Sequence, residues 1–495
     1  MSVLRATPDS RRSFVIGIML LTLIGLGTRL YRLSNQSFWM DEVTAVTTAQ
    51  GPLKGIYERS AFAANSLPTY FLMLKPLVAT SGANIEFRAR LLSVIAGTLS
   101  VPVFIGLVFL WRRQYGTALL AGILLAVNPL HLWYSQETRG YAVMLLFGLL
   151  ALLCFEFARE KKRAFWWALY AASAIMAIAV HRTGILFPVA CGLWHAWDVA
   201  KRREKWKILF AHLPVLAATL AALAVKSHPP PESYSRSANG LEIGYTFLTF
   251  VGGYSFGPSV SDIQSHGPLA AISNHAIQTA VLGVLLLMMA LAFVLNFRQL
   301  ISGRETQLMI LGIGAVSTYA LLSGFPYNVR YALPALFGFL ALAAAALANA
   351  QAKFRLARLT AGSLIAVSLW ADGQWFYRSD YRKDDSRAVA EWLLQNNQRV
   401  RSWTVLPSYM NTPIEWYLQN APGPLANEMP PTSDQSTTFP PVPDVLIITR
   451  RHHLRDPDGL IATYANTTHR LETNRTYAGF ELYVAEKKDS VVSGK

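Results

Sequence analysis

Hydrophobic residues in this chain fall into long apolar stretches rather than the short alternating patterns of a soluble sheet. Eleven stretches are candidate membrane spans. They run Phe14 to about Leu30, about Leu91–Trp111, about Tyr115–Trp133, Tyr141–Phe157, Ala164–Val180 and about Gly184–Trp197. Then come Ile208–Val225, about Ala276–Phe297, Thr306–Ser323, Tyr331–Leu347 and Leu359 to about Phe376. A spanning helix needs about 20 mostly apolar residues. The pattern therefore predicts an all-α polytopic membrane domain over residues 1–377, with about eleven transmembrane helices.

The polar intervals between these stretches are uneven. A first loop, residues 31–90, contains the apolar segment Leu67–Ala79, too short for a span and read as a helix on the membrane surface. A second loop, residues 226–275, has the run Pro229–Pro231 and a Gly-rich aromatic stretch, Gly244–Gly257. Residues 378–495 lack spans. There Asp384–Asn396 has helical spacing, and Val400–Leu406, Val445–Thr449 and Phe480–Ala485 read as strands, around a Pro-rich stretch, Pro422–Pro443. This predicts a small α/β domain after the membrane part.

Composition sharpens the class. Of 495 residues, 53% are hydrophobic and 15% charged, against about 25% charged in soluble domains. Residues 378–495 balance, with 14 basic and 14 acidic side chains, so the whole formal excess of +16 lies upstream. That excess sits in alternate short loops, such as Arg112–Arg113, Arg159–Arg163 and Lys201–Lys207. The positive-inside rule places these loops and the N-terminus in the cytoplasm. An odd number of spans then puts residues 378–495 outside. The separated basic loops form no stripe for nucleic acid. Cys154 and Cys191 lie in apolar segments and read as packing residues.

The candidate chemistry collects in the opposite loops. Trp39-Met40-Asp41-Glu42 puts two carboxylates just after the first span, where a carboxylate beside apolar surface can serve as a base. Glu137 and Arg139 are the only charges between Arg113 and Glu156. His181-Arg182 and Asn328-Val329-Arg330-Tyr331 each put one arginine at an outer span end. Together Arg139, Arg182 and Arg330 share one depth on the side where the positive-inside rule disfavours cations. A shared anion, such as a lipid-linked phosphate, accounts for that economically, and arginine's planar fork suits phosphate oxygens. No His, Cys and carboxylate cluster has zinc spacing.

These pieces resemble a family. Trp39-Met40-Asp41-Glu42, Asn65-Ser66-Leu67-Pro68-Thr69-Tyr70-Phe71-Leu72, Tyr134-Ser135-Gln136-Glu137-Thr138-Arg139-Gly140-Tyr141 and Arg330-Tyr331-Ala332-Leu333-Pro334-Ala335-Leu336 occur in order. The set is similar to motifs of the GT-C polytopic glycosyltransferases. The nearest branch is the bacterial one related to protein O-mannosyltransferases and the lipid A aminoarabinose transferase. Lys383-Asp384-Asp385-Ser386-Arg387-Ala388 resembles the start of that family's exported domain. In this chain Asn65-Ser66-Leu67 stands where the family has His-Pro-Pro, and Thr138 where it has Ala.

The resemblance implies a sugar transfer from a polyprenyl-phosphate donor to a lipid, polysaccharide or protein acceptor, outside a bacterial inner membrane. The alternatives are a transporter or flippase, or a polymerase or ligase, for polyprenyl-linked sugars. Asp41 is implied as general base, with Glu42 and Glu137 as further catalytic acids. Arg139, Arg330, Tyr331 and Arg182 are implied at the donor phosphate, and His181, Asn65, Tyr70 and Tyr141 as substrate contacts. No cofactor is required. A divalent cation is compatible with Glu137, since relatives differ in metal use.

Overall fold

The computed structural model describes residues 8–62, 67–80, 82, 84–224, 240–259, 262–263, 267–323, 327–351, 355–400, 402–406, 410–421, 427–428, 444–449 and 469–487. Helices dominate up to Tyr377, and a five-stranded sheet follows. Among the described residues six helices are long and apolar enough to cross a membrane: Asp9–Leu30, Ile85–Arg112, Tyr141–Lys161, Ala276–Leu295, Arg304–Leu322 and Val329–Ala348. The chain is an integral membrane protein. Within the bundle, Val329–Ala348 is central, with 94% of its apolar window buried. The first helix is peripheral, with 11%.

The expected count of about eleven spans is corrected downward: among the described residues, six helices, or seven with one bent pair taken as a span, meet the length and apolarity of a crossing. The stretch expected at Tyr115–Trp133 is two helices, Tyr115–Ala126 and Pro129–Ser135, that meet at 57°. Pro129 has no N–H to continue the ladder, and Asn128 caps the second helix by accepting the His131 N–H at 2.9 Å. Ala164–Val180 holds 17 residues and Leu186–Ala200 holds 15. At 1.5 Å per residue both fall short of a ~30 Å hydrocarbon core. The segment expected at Ile208–Val225 is a shorter apolar helix, Leu209–Ala224. The last, Arg355–Tyr377, is long enough, but buried Ser368, Asp372 and Gln374 dilute its apolar character.

The break at Pro129 is braced from the first helix. Fully buried Arg29 donates from Nη1 to the Ala126 carbonyl at 3.1 Å, and its Nη2 meets His131 Nδ1 at 2.8 Å. Such groups need internal partners where no water reaches. Gly97 makes room for this brace: a Cβ there would collide with the Ser135 side chain and crowd Arg29 Nε. Gln136 continues the tie, donating to the Arg29 carbonyl at 3.0 Å and the Tyr31 carbonyl at 2.9 Å. The loop carrying Glu137 and Arg139 is thus fixed to the end of the first helix.

The tail builds one sheet, with strands β1 (Ser402–Leu406), β2 (Asn427–Glu428), β3 (Val445–Thr449), β4 (His469–Tyr477) and β5 (Phe480–Lys487). Their order is β2-β1-β3-β5-β4, parallel for β2, β1 and β3, with β5 antiparallel to β3 and to β4. Gly479, at φ +81°, turns the β4–β5 hairpin. Helix Ser386–Gln395 starts where Asp385 accepts the Ala388 N–H. Its Val389 and Leu393 share a core with Ile414 and Leu418 of helix Asn411–Gln419 and with Trp403, Val405, Ile447 and Leu482 of the sheet.

This domain rests on the first loop. Arg387 reaches Glu86 at 3.0 Å, Tyr417 donates to Glu86 at 2.9 Å, and the Phe38 N–H donates to Tyr417 at 2.7 Å. The loop after the first helix and the tail therefore occupy one face.

Candidate functional site

Asp41 and Glu42 open helix Met40–Gln50, where acids complement the positive end of the helix. Adjacent helical residues point about 100° apart, and the two part company. Glu42 is fully buried. Its Oε1 accepts from Arg90 Nε and from the Thr138 backbone N–H, both at 2.9 Å. Its Oε2 accepts from Arg90 Nη2 and Lys383 Nζ, both also at 2.9 Å. Burial works to raise this carboxyl, but Arg90, Lys383 and the Thr138 N–H together outweigh it and hold Glu42 down at about 2. Glu42, grouped with the catalytic acids by sequence, is thus a fully bonded hub. It joins helix Ile85–Arg112, the Glu137 loop and the tail.

Asp41 is partly exposed, and its Oδ2 faces two arginines. Arg330 Nη1 lies 3.3 Å away and Arg139 Nη2 lies 3.6 Å away. Arg330 sits in the one-turn segment Val329–Ala332, whose start is fixed by Asn328 accepting the Arg330 N–H at 3.1 Å. Its Nη2 meets Tyr331 Oη at 3.3 Å, and its guanidinium lies over the Tyr331 ring. The Nε atoms of Arg139 and Arg330 are buried without a hydrogen-bond partner.

Glu137 is 1% exposed. Oε1 accepts the Trp39 indole N–H at 2.9 Å, while Oε2 is buried with no partner. Burial drives its carboxyl up to about 7. Lys383 and Arg139 oppose that rise, and Glu42 and Asp41 add to it. The backbone beneath is pinned by Ser93, which donates to the Glu137 carbonyl at 2.6 Å.

Below its folded value of about 7 Glu137 keeps a proton that the unfolded chain releases above about 4.5. Stability should therefore fall as pH rises across that window and level off above it. Two to three units correspond to on the order of 3 kcal/mol. Glu137→Gln, fixed in the neutral form, should lose this slope. Unfolding midpoints between pH 5 and 8, compared with wild type, check it; parallel curves would remove Glu137 as the titrating group.

His181 ends helix Ala164–Val180 and is buried against Tyr141, with ring centroids 4.6 Å apart. Burial, and then the charges of Arg139, Arg330 and Arg182, keep it well below the usual imidazole range. Its Nδ1 meets the Thr183 hydroxyl at 2.8 Å and the Thr183 N–H at 3.3 Å, and its Nε2 is buried with no partner. Arg182 follows in the turn Arg182–Ile185. Tyr70, on helix Pro68–Val78, is buried near Gly140; a Cβ there would sit 3.4 Å from its ring. Asn65 lies outside the described residues.

The structure thus gathers Asp41, Glu137, Arg139, His181, Arg330, Tyr331 and Tyr141 at one end of the bundle. Sequence reading missed Arg90 as Glu42's partner and Lys383 as a buried cation from the tail. Only the Lys383-Asp384-Asp385 motif hinted at the second. Among the described residues no group of three or more His, Cys, Asp or Glu could hold a metal ion. The carboxylates Asp41, Glu42 and Glu137 face cations and an indole.

Residues 67–227 match the family described as dolichyl-phosphate-mannose-protein mannosyltransferase. That is the relationship the motifs resembled. No curated protein matches the chain. Among solved structures the chain is similar to ArnT from Cupriavidus metallidurans bound to undecaprenyl phosphate. Identity there is 12%, coverage 97% of this chain and 98% of that one, and the TM-score 0.49. It is also similar to the oligosaccharyltransferase AglB from Archaeoglobus fulgidus, in complex with an inhibitory peptide and a dolichol-phosphate. The values are 13%, 98% and 76%, with a TM-score of 0.48. A third is the arabinofuranosyltransferase AftD from Mycobacteria, at 13%, 97% and 40%, with a TM-score of 0.42.

Proposed function

We propose that this chain is a membrane glycosyltransferase of the GT-C type. It moves a sugar from a polyprenyl-phosphate donor to a lipid, glycan or protein acceptor, with inversion, on the outer face of a bacterial inner membrane. The observation that carries this reading is the carboxylate of Asp41 set between Arg139 and Arg330 where apolar helices end. A base and a phosphate cradle stand side by side there, at the depth where a lipid-linked phosphate would rest. The family match over residues 67–227 supports the same reading.

In the transfer, the acceptor oxygen attacks the anomeric carbon as Asp41 takes its proton, and the bond from that carbon to the phosphate oxygen breaks. The transition state is oxocarbenium-like. Negative charge grows on the leaving phosphate, and Arg139 and Arg330 neutralise it from fixed positions. Tyr331 orients Arg330. His181 packs on Tyr141 beside the site, and Arg182 adds positive potential. Glu42 is a positioning residue, and Glu137, neutral below about pH 7, lines the acceptor side with Tyr141 and Tyr70. No cofactor is needed for these steps.

Residues 1–377 form the catalytic membrane part and 378–495 an extracytoplasmic domain that closes over it. The basic loops favour a cytoplasmic N-terminus. The first loop lies across one span from that terminus, and the tail packs on the loop, so both face outward.

Binding of undecaprenyl phosphate to the purified chain, and to Arg330→Ala, tests the reading. Removing one fork of the cradle should weaken binding about 10- to 100-fold, on the scale of a lost charge-assisted hydrogen bond. Lipid bound to the native protein, identified by mass spectrometry, should carry the sugar. Absent binding, or binding indifferent to Arg330, would defeat the donor-site assignment.

A further inference from the structure

The same oxygen of Asp41 that would take a proton is the one the two arginines hold. Both contacts, 3.3 Å to Arg330 and 3.6 Å to Arg139, converge on Oδ2. A carboxylate oxygen facing two guanidiniums is a poor proton acceptor, because each cation favours its ionised form. The base and the donor phosphate therefore need the same guanidiniums for opposite purposes.

We propose that Asp41 is latched by Arg139 and Arg330 until the donor phosphate takes those arginines, so that donor binding is what releases the base. This rests on the donor-site reading above and adds an order to it. The donor binds first, and the acceptor hydroxyl is activated only afterwards.

Three features of the site favour the exchange. The other nearby carboxylates are engaged elsewhere: Glu42 with Arg90, Lys383 and the Thr138 N–H, Glu137 with the Trp39 indole. Asp41 is thus the carboxylate in contact with both arginines. Each arginine also keeps a buried Nε donor with no partner, so neither guanidinium is saturated by Asp41. A phosphate offers more acceptor oxygens than one carboxylate oxygen and matches the planar fork. Finally, both ion pairs are partly open to solvent, with side-chain exposures of 17–29%. At 3.6 and 3.3 Å, each is a single contact to one oxygen rather than a short two-point fork, which an incoming phosphate can displace.

The latch predicts the sign of a binding change. Removing the Asp41 carboxylate should tighten undecaprenyl phosphate, because the lipid no longer competes for the arginines. The expected gain is roughly three- to tenfold for Asp41→Asn, from two weak ion pairs. Asp41→Ala should do the same and serves if the first variant misfolds. Glu58→Gln, which neutralises an exposed carboxylate paired with Lys54 on helix Leu53–Phe62, away from the site, should change affinity less than about twofold.

All are measured on the full chain in detergent with undecaprenyl phosphate as probe. Unchanged or weaker binding in a folded Asp41 variant overturns the latch, as does equal tightening by Glu58→Gln. Either result leaves the donor-site reading standing if Arg330→Ala still weakens the wild-type interaction. If wild type fails to bind the lipid phosphate, that reading falls as well.

Discussion

Asp41→Asn should lower the rate of sugar transfer by about 10²–10⁴-fold while leaving the lipid phosphate bound. That range is what a positioned general base contributes. The amide fills the same space, and its oxygen can still face Arg330 and Arg139, so the local packing survives. What it cannot do is take the acceptor proton. Rate and donor affinity are therefore expected to separate. The measurement is transfer of labelled sugar from polyprenyl-phosphate lipid under saturating donor, with donor binding followed in parallel. Full activity in the variant would remove Asp41 as base and shift attention to Glu137, the other acid at this end of the bundle. Loss of both transfer and binding would instead make Asp41 a structural anion for the arginines.

The membrane class was legible because lipid forces long apolar stretches, and these stand out in composition alone. The number of spans was less so. The run Tyr115–Trp133 is apolar throughout, and only Asn128-Pro129 inside it marks the break; reading through that pair merged two helices into one. The segment Leu359 to about Phe376 read as a span from its apolar residues, although Ser368, Asp372 and Gln374, buried against protein, interrupt them.

At the site, Asp41, Arg139 and Arg330 were legible as isolated charges at span ends, and the fold brings them into contact. The division of labour between Asp41 and Glu42 was not. One step along a helix turns a side chain by about 100°, and nothing in the tetrad says which carboxylate faces inward. Arg90 carried no signal in the sequence and Lys383 stood only within its motif, since a buried ion pair is declared by its partner in space. The tail helix at Ser386–Gln395 and strand β3 at Val445–Thr449 followed from periodicity. Helix Asn411–Gln419 and strand β4 did not: the helix holds nine residues, and His469–Tyr477 is mostly polar along its length.

Glu42→Ala should destabilise the protein by about 3–5 kcal/mol, the range for breaking a buried pair from one side. The carboxylate accepts four hydrogen bonds, from Arg90 twice, Lys383 and the Thr138 N–H. Removing it leaves two buried cations and a backbone donor without their acceptor. The tail should feel this first, because Lys383 ties it to Glu42 with a buried ion pair. Proteolysis of residues 378–495 should accelerate along with the fall in the unfolding midpoint. Lys383→Met should cost less, since Glu42 keeps Arg90 and the Thr138 N–H. The hub also has a pH signature opposite to that of Glu137. Its carboxyl lies at about 2 when folded against about 4.5 unfolded, so its contribution is complete above 4.5 and is lost as pH falls toward 2. Glu42→Gln should remove that acid-side loss while keeping the shape. If Glu42→Ala instead unfolds like wild type with the tail still protected, the tail is held by the Arg387–Glu86 and Tyr417 contacts, and Glu42 is free to serve the chemistry directly.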